Sequence, residues 1–138
     1  MANFTIEYEG DLRCRMRHTS SGTEVLTDAP VDNRGKGQSF SPTDLVASAT
    51  GACMLTIMGI KAADHGWDLS GTTMEVTKHM VADPQRRIGA IDVRFALPEL
   101  DERARVTLER SAHTCPVKTS LREDVEVRVH FGWGEVAR

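Results

Sequence analysis

Residues 41–60 read Ser41-Pro42-Thr43-Asp44-Leu45-Val46-Ala47-Ser48-Ala49-Thr50-Gly51-Ala52-Cys53-Met54-Leu55-Thr56-Ile57-Met58-Gly59-Ile60. The first four residues form a helix start: a serine able to cap, proline at the first helical position, and an acid at capping-box spacing. From Leu45 to Ile60 no residue is charged, yet Ser48, Thr50, Gly51, Thr56 and Gly59 interrupt the apolar run, which is short for a bilayer. The stretch therefore predicts a buried central helix with Cys53 in its middle and no membrane association. A helix apolar nearly all round must be covered on most sides, and a chain of 138 residues calls for a second subunit to help cover it.

On the amino-terminal side, Phe4, Ile6 and Tyr8, then Leu12, Cys14 and Met16, alternate with other residues, a period of two that predicts strands with Cys14 facing inward. A further short strand is expected over Thr23–Thr27. Asp28 to Phe40 holds Pro30, Asp32-Asn33, Gly35 and Gly37 and reads as a loop. On the other side, Leu69–Val81 and Ile88–Leu97 predict a hairpin turning at Asp83-Pro84. Leu100, Ala104, Leu108 and Ala112 recur every fourth residue as an amphipathic helix ending near His113. A short helix with Pro116 at its first position and Cys115 as its cap follows, and Val125, Val127, Val129 and Phe131 mark a closing strand. The order gives an α+β fold in a single domain, residues 1–138.

The composition, 40% hydrophobic and 27% charged, is that of an ordinary globular protein. A formal net charge of -3 gives no footprint for a polyanion, so nucleic acid is not an expected partner. Acidic residues at Glu7 and Glu9 stand where a signal peptide needs a basic start and an apolar run, and the expected location is the cytoplasm. Three cysteines, Cys14, Cys53 and Cys115, are too few and too widely spaced for a disulfide scaffold, and neither they nor the five histidines have metal-ligand spacing. In a reducing compartment such thiols are packing groups or catalytic ones.

Cys115 has a physical reason to react, because free N–H groups and the dipole at a helix start favour a thiolate and would lower its pKa; the alternative is a tolerated cap. Cys53, on an apolar helix, is either a packing residue or a nucleophile that needs a nearby cation. Arg34 in the preceding loop is the natural donor, and otherwise a solvated loop residue. Cys14 is most economically a small core residue. His113 either donates a proton or hydrogen bond to Cys115 or ends a helix.

Phe40 to Cys53 closely resembles the first signature of the osmotically inducible protein C and organic hydroperoxide resistance (OsmC/Ohr) family: asparagine or serine, proline, an acid, then small apolar residues ending in Ala-Cys. Cys115-Pro116-Val117 resembles the second, and two motifs in the right order and separation are specific. The resemblance implies an OsmC-like fold, with β-sheets wrapped around two central helices in an intertwined homodimer whose active sites draw on both subunits. It also implies a thiol peroxidase for organic hydroperoxides, with Cys53 as attacking thiolate, Cys115 as resolving thiol and Arg34 stabilising the thiolate. No bound cofactor is implied. An external dithiol, such as a dihydrolipoyl protein, would return the electrons.

One departure matters. The glutamate that in the family's hydroperoxide-resistance branch directly follows the proline and holds the arginine is replaced here by Thr43, and the acid falls one step later, at Asp44, about 100 degrees round a helix. That resembles a less characterised OsmC-like branch. Asp44 either takes over the glutamate's role or only caps the helix. A second reading is a small-ligand-binding or stress protein of the same fold with weak or no peroxidase activity.

Overall fold

The computed structural model describes residues 1–136. Its longest element, helix α1 (Pro42–His65), starts as its sequence dictates. The Ser41 N–H donates to Asp44 Oδ2 at 2.9 Å and the Asp44 N–H donates back to Ser41 Oγ at 3.1 Å, a closed capping box with aspartate as its acid. The helix runs past Ile60 through Lys61, Asp64 and His65, further than its uncharged stretch suggests, because nothing breaks it before Gly66. There φ is +73°, and the Gly66 and Trp67 N–H groups bond back to the carbonyls of Ala63 and Ala62. At 24 residues α1 has the length and composition to cross a membrane, a test that the core helix of a soluble protein also passes.

The chain groups into two compact units, one of Met1–Val46 and one from Ala47 onward. In the second, β4 (Thr73–Val81), β5 (Arg87–Leu97) and β6 (Glu126–Trp133) form a sheet in that order, β4 antiparallel and β6 parallel to β5. A parallel pair needs a crossover. Here the crossover carries α2 (Glu102–Ala112) and α3 (Pro116–Ser120). Strand β4 begins later than its apolar pattern predicts, because Leu69 to Thr72 close a turn: the Thr72 N–H reaches the Leu69 carbonyl, and the Asp68 carboxylate takes both donors of Ser70.

Alternation divides the faces of this sheet. Ile91, Val93, Phe95 and Leu97 are buried and share one core with Ala47, Met54, Met58 and Ala62 of α1, Leu108 and Ala112 of α2, and Cys115. On the opposite face Asp92 is hydrogen-bonded by Arg128 and His79, which hold its carboxyl below the usual range. Such exposed pairs keep the face soluble and contribute little stability. Gly51 sets how near α1 lies to the sheet: a Cβ there would stand 2.8 Å from Met74 Sδ and 2.8 Å from Val76 Cγ2.

In the first unit, β1 (Phe4–Gly10), β2 (Arg13–His18) and β3 (Glu24–Leu26) make an antiparallel sheet. Register places Ile6 opposite Met16, Tyr8 opposite Cys14, and Val25 opposite Met16, so these residues share an apolar face. The face predicted to point inward is largely uncovered within one chain: Phe4, Ile6 and Tyr8 are 61%, 65% and 63% exposed.

The close approach at Gly51 makes a test. Gly51→Leu gains helix propensity but drives a side chain into Val76 and Met74, and is expected to cost about 2 kcal/mol net, read as a lower melting temperature. An unchanged melting temperature would mean that the helix can lift off the sheet freely.

Candidate active site

Helix α2 ends at His113, whose N–H bonds to the Ser111 carbonyl, and the chain then turns through Thr114 into Cys115. Cys115 is extended (φ -62°, ψ 137°) and caps α3, its Sγ accepting the Lys118 N–H at 3.2 Å. Its carbonyl accepts from Thr119 N–H and Thr119 Oγ1. Cys115 is fully buried in the core described above.

The helix-start argument predicts a lowered Cys115 pKa, and the structure reverses the direction. Burial pushes the thiol up first, and hydrogen bonding to Cys53 and the charge of Cys53 push it further; the N–H groups of Lys118 and Val117 pull it down only in part. A helix of five residues, with proline at its first position, offers too few donors to overcome complete burial. Cys115 is therefore suited to remain a thiol.

Cys53 lies half-buried on α1, packed against the same core, and acts on Cys115 through hydrogen bonding and charge. The fold thus brings together two thiols far apart in sequence. Cys14 is a free cysteine on the first sheet, backed by Thr27, whose Oγ1 accepts the Cys14 N–H.

Arg34 sits in the loop of the first unit, exposed, at the end of a short turn over Val31–Asn33, with φ +70°. Asp28 is the loop's clasp, a residue whose role the sequence does not signal. It is fully buried, its carboxylate accepts the Gln38 N–H at 3.0 Å and its own N–H bonds to the Phe40 carbonyl. Asp44 makes the capping box, and Ser41 Oγ stands 3.2 Å from Thr43 Oγ1.

His113 does end a helix, as the bland expectation has it, but it also has a partner: its Nδ1 lies 2.9 Å from Lys118 Nζ. Burial, then the Lys118 charge, holds the His113 pKa below the ordinary histidine value, with Glu109 opposing. Lys118 is the residue that sequence reasoning passed over. Its place three after a capping residue is the signal that would have found its N–H on the cysteine sulfur.

A family model described as OsmC-like protein matches residues 35–130, well over half of the chain. The chain belongs to the OsmC-like family. This OsmC-like protein is similar in structure to one from Psychrobacter arcticus 273-4 named for osmotic stress induction and detoxification response, with 46% identity, 95% of this chain and 96% of that one covered, and a TM-score of 0.90. It also resembles the organic hydroperoxide resistance protein OsmC of Legionella pneumophila (18% identity, 93% of each chain, TM-score 0.75). A third is the organic hydroperoxide resistance protein OhrB of Bacillus subtilis (17% identity, 95% and 97% covered, TM-score 0.69). The last two show the shared fold. Among curated proteins, none matches the chain.

The raised Cys115 pKa can be checked directly. Iodoacetamide labelling of Cys115 in the Cys53→Ser variant should have its pH midpoint above that of an ordinary cysteine, with burial as the main cause. The fold favours the protonated thiol, so the associated stability is present below the ordinary thiol range and is lost as pH rises through the raised value. A midpoint below the ordinary range would restore the helix-start argument.

Proposed function

We propose that this OsmC-like protein is a thiol-dependent peroxidase that reduces organic hydroperoxides in the cytoplasm. The observation that carries the reading is the adjacency of Cys53 and Cys115, one half-buried on α1 and one fully buried and held as a thiol. The names of the Legionella and Bacillus relatives point to the same substrate class. The Cys53 thiolate attacks the peroxide O–O bond, which breaks; the alkoxide takes a proton and leaves as the alcohol, and Cys53 becomes a sulfenic acid. Cys115 then forms the disulfide with loss of water, and an external dithiol restores both thiols by exchange.

The reading includes a homodimer. Ala49, Ala52, Thr56, Gly59, Ile60 and Ala63 form an exposed, uncharged side of α1, with Ile60 57% exposed, and the first sheet presents its own apolar face. A second copy of the chain is the cover proposed for both. In that assembly Arg34 supports the Cys53 thiolate with its charge, and Asp44 adds the orientation that the family's glutamate supplies.

One observation favours small-ligand binding instead. A groove of about 500 Å³ is lined by Ile57, Ile60, Lys61 and Asp64 of α1 and by Arg110 and Thr114, one turn from Cys53 and one residue from Cys115. Such a groove suits a ligand with an apolar body and a polar head that can meet both Lys61 or Arg110 and Asp64.

Reduced protein mixed with one equivalent of cumene hydroperoxide separates the readings. Cys53→Ser should consume no peroxide, and Cys115→Ser should consume one equivalent in a single turnover; unchanged thiols in the unsubstituted protein would leave ligand binding. Arg34→Met should slow Cys53 oxidation about tenfold and raise the pH at which Cys53 reacts, with the melting temperature unchanged. An unaltered pH profile would remove Arg34 from the site. Light scattering should give a dimer at micromolar concentration, and a folded monomer would defeat the assembly.

A further inference from the structure

Disulfide closure demands more of Cys115 than proximity. Its sulfur must approach the Cys53 sulfur in line with the S–O bond that breaks, and it sits on a helix of only five residues, too short to hold its own shape. Something beyond α3 has to fix that first turn.

We infer that His113 and Lys118 form a clamp that positions the resolving thiol and governs disulfide closure without acting on peroxide attack. The two side chains meet, Nζ to Nδ1 at 2.9 Å, across the segment that contains Cys115. Lys118 is also the residue whose N–H holds Cys115 Sγ. Closing the side-chain contact therefore fixes the backbone donor on the sulfur. The other end of the clamp leans on the sheet: the His113 ring, itself exposed, stands edge-on to Phe131 of β6 at 6.1 Å, and Phe131 stacks on the buried Phe95 of β5 at 5.3 Å.

The chemistry of the contact fixes its protonation. An ammonium can only donate, so Nδ1 is the acceptor, and neutral His113 carries its proton on Nε2. A protonated ring would set two cations against each other. The lowered His113 pKa is consistent with the neutral form.

The clamp rests on the roles proposed above for the two thiols. Cys115 gives up its proton and attacks the sulfur of the Cys53 sulfenic acid; the S–S bond forms, the S–O bond breaks, and the hydroxide leaves with a proton as water. Neither His113 nor Lys118 enters the balance, so both are positioning residues.

Two measurements test the proposal. In rapid-quench experiments with one equivalent of cumene hydroperoxide, Lys118→Met and His113→Phe should form dimedone-trappable Cys53 sulfenate at the unsubstituted rate but close the disulfide about fivefold more slowly. His113→Gln keeps an acceptor for the ammonium and should close it near the unsubstituted rate. Equal slowing of both steps, or no rescue by glutamine, would mean a general structural role and overturn the clamp. The second measurement needs no peroxide: the Lys118 amide should exchange with solvent about fivefold faster in Lys118→Met and His113→Phe, and unchanged exchange overturns the clamp by itself. Faster exchange in a protein that forms no sulfenate would leave the clamp standing and sink the reading of the thiols.

Discussion

A helix with sixteen uncharged residues in a row, Leu45 to Ile60, has to be packed against something along most of its sides, and the rest of this structure follows from how α1 meets that demand. One side lies on the sheet of β4, β5 and β6, near enough that a Cβ at position 51 would crowd Met74 and Val76. That contact carries Met54, Met58 and Ala62 into the core and leaves Cys53 at its margin, half-buried. A thiol at the core's edge can meet a buried partner on one flank and a reactant on the other. The remaining side of α1, small and uncharged, has the make-up of a contact surface.

The two thiols are made unlike by their surroundings. Both belong to one packed cluster, but Cys115 is wholly enclosed and its proton is held by burial, while the N–H groups at the start of α3 only soften that effect. Cys53 has no such enclosure. Full enclosure of one sulfur and partial exposure of the other are what the proposed two-cysteine cycle asks of them.

Much of this was legible in the sequence because it depends on local rules. The capping box at Ser41 and Asp44, the alternation in β5 and β6, the period of four in α2 and the proline after Cys115 are all short-range signals, and each element appears. What failed depended on tertiary context. The direction of the Cys115 pKa shift is decided by core residues distant in sequence. The late start of β4 reflects a turn built by Asp68 and Thr72 within an otherwise strand-like run. The parallel pairing of β6 with β5 leaves no trace in either strand, since both alternate as antiparallel strands do. The meeting of His113 with Lys118 requires the particular path of the chain between α2 and α3. The pairing of Cys53 with Cys115 came from resemblance to a family, not from spacing.

The parallel pairing also has a temporal meaning. A hairpin such as β4 and β5 can close early, because its ends are near one another along the chain, whereas β6 reaches β5 only after the whole crossover has been laid down. Cys115 rides on that crossover. Phe131 of β6 packs against the core that encloses Cys115, so that core is finished only when β6 docks. Until then the burial that raises the Cys115 pKa is incomplete. Sheet assembly and the shielding of this thiol are therefore late and coupled events.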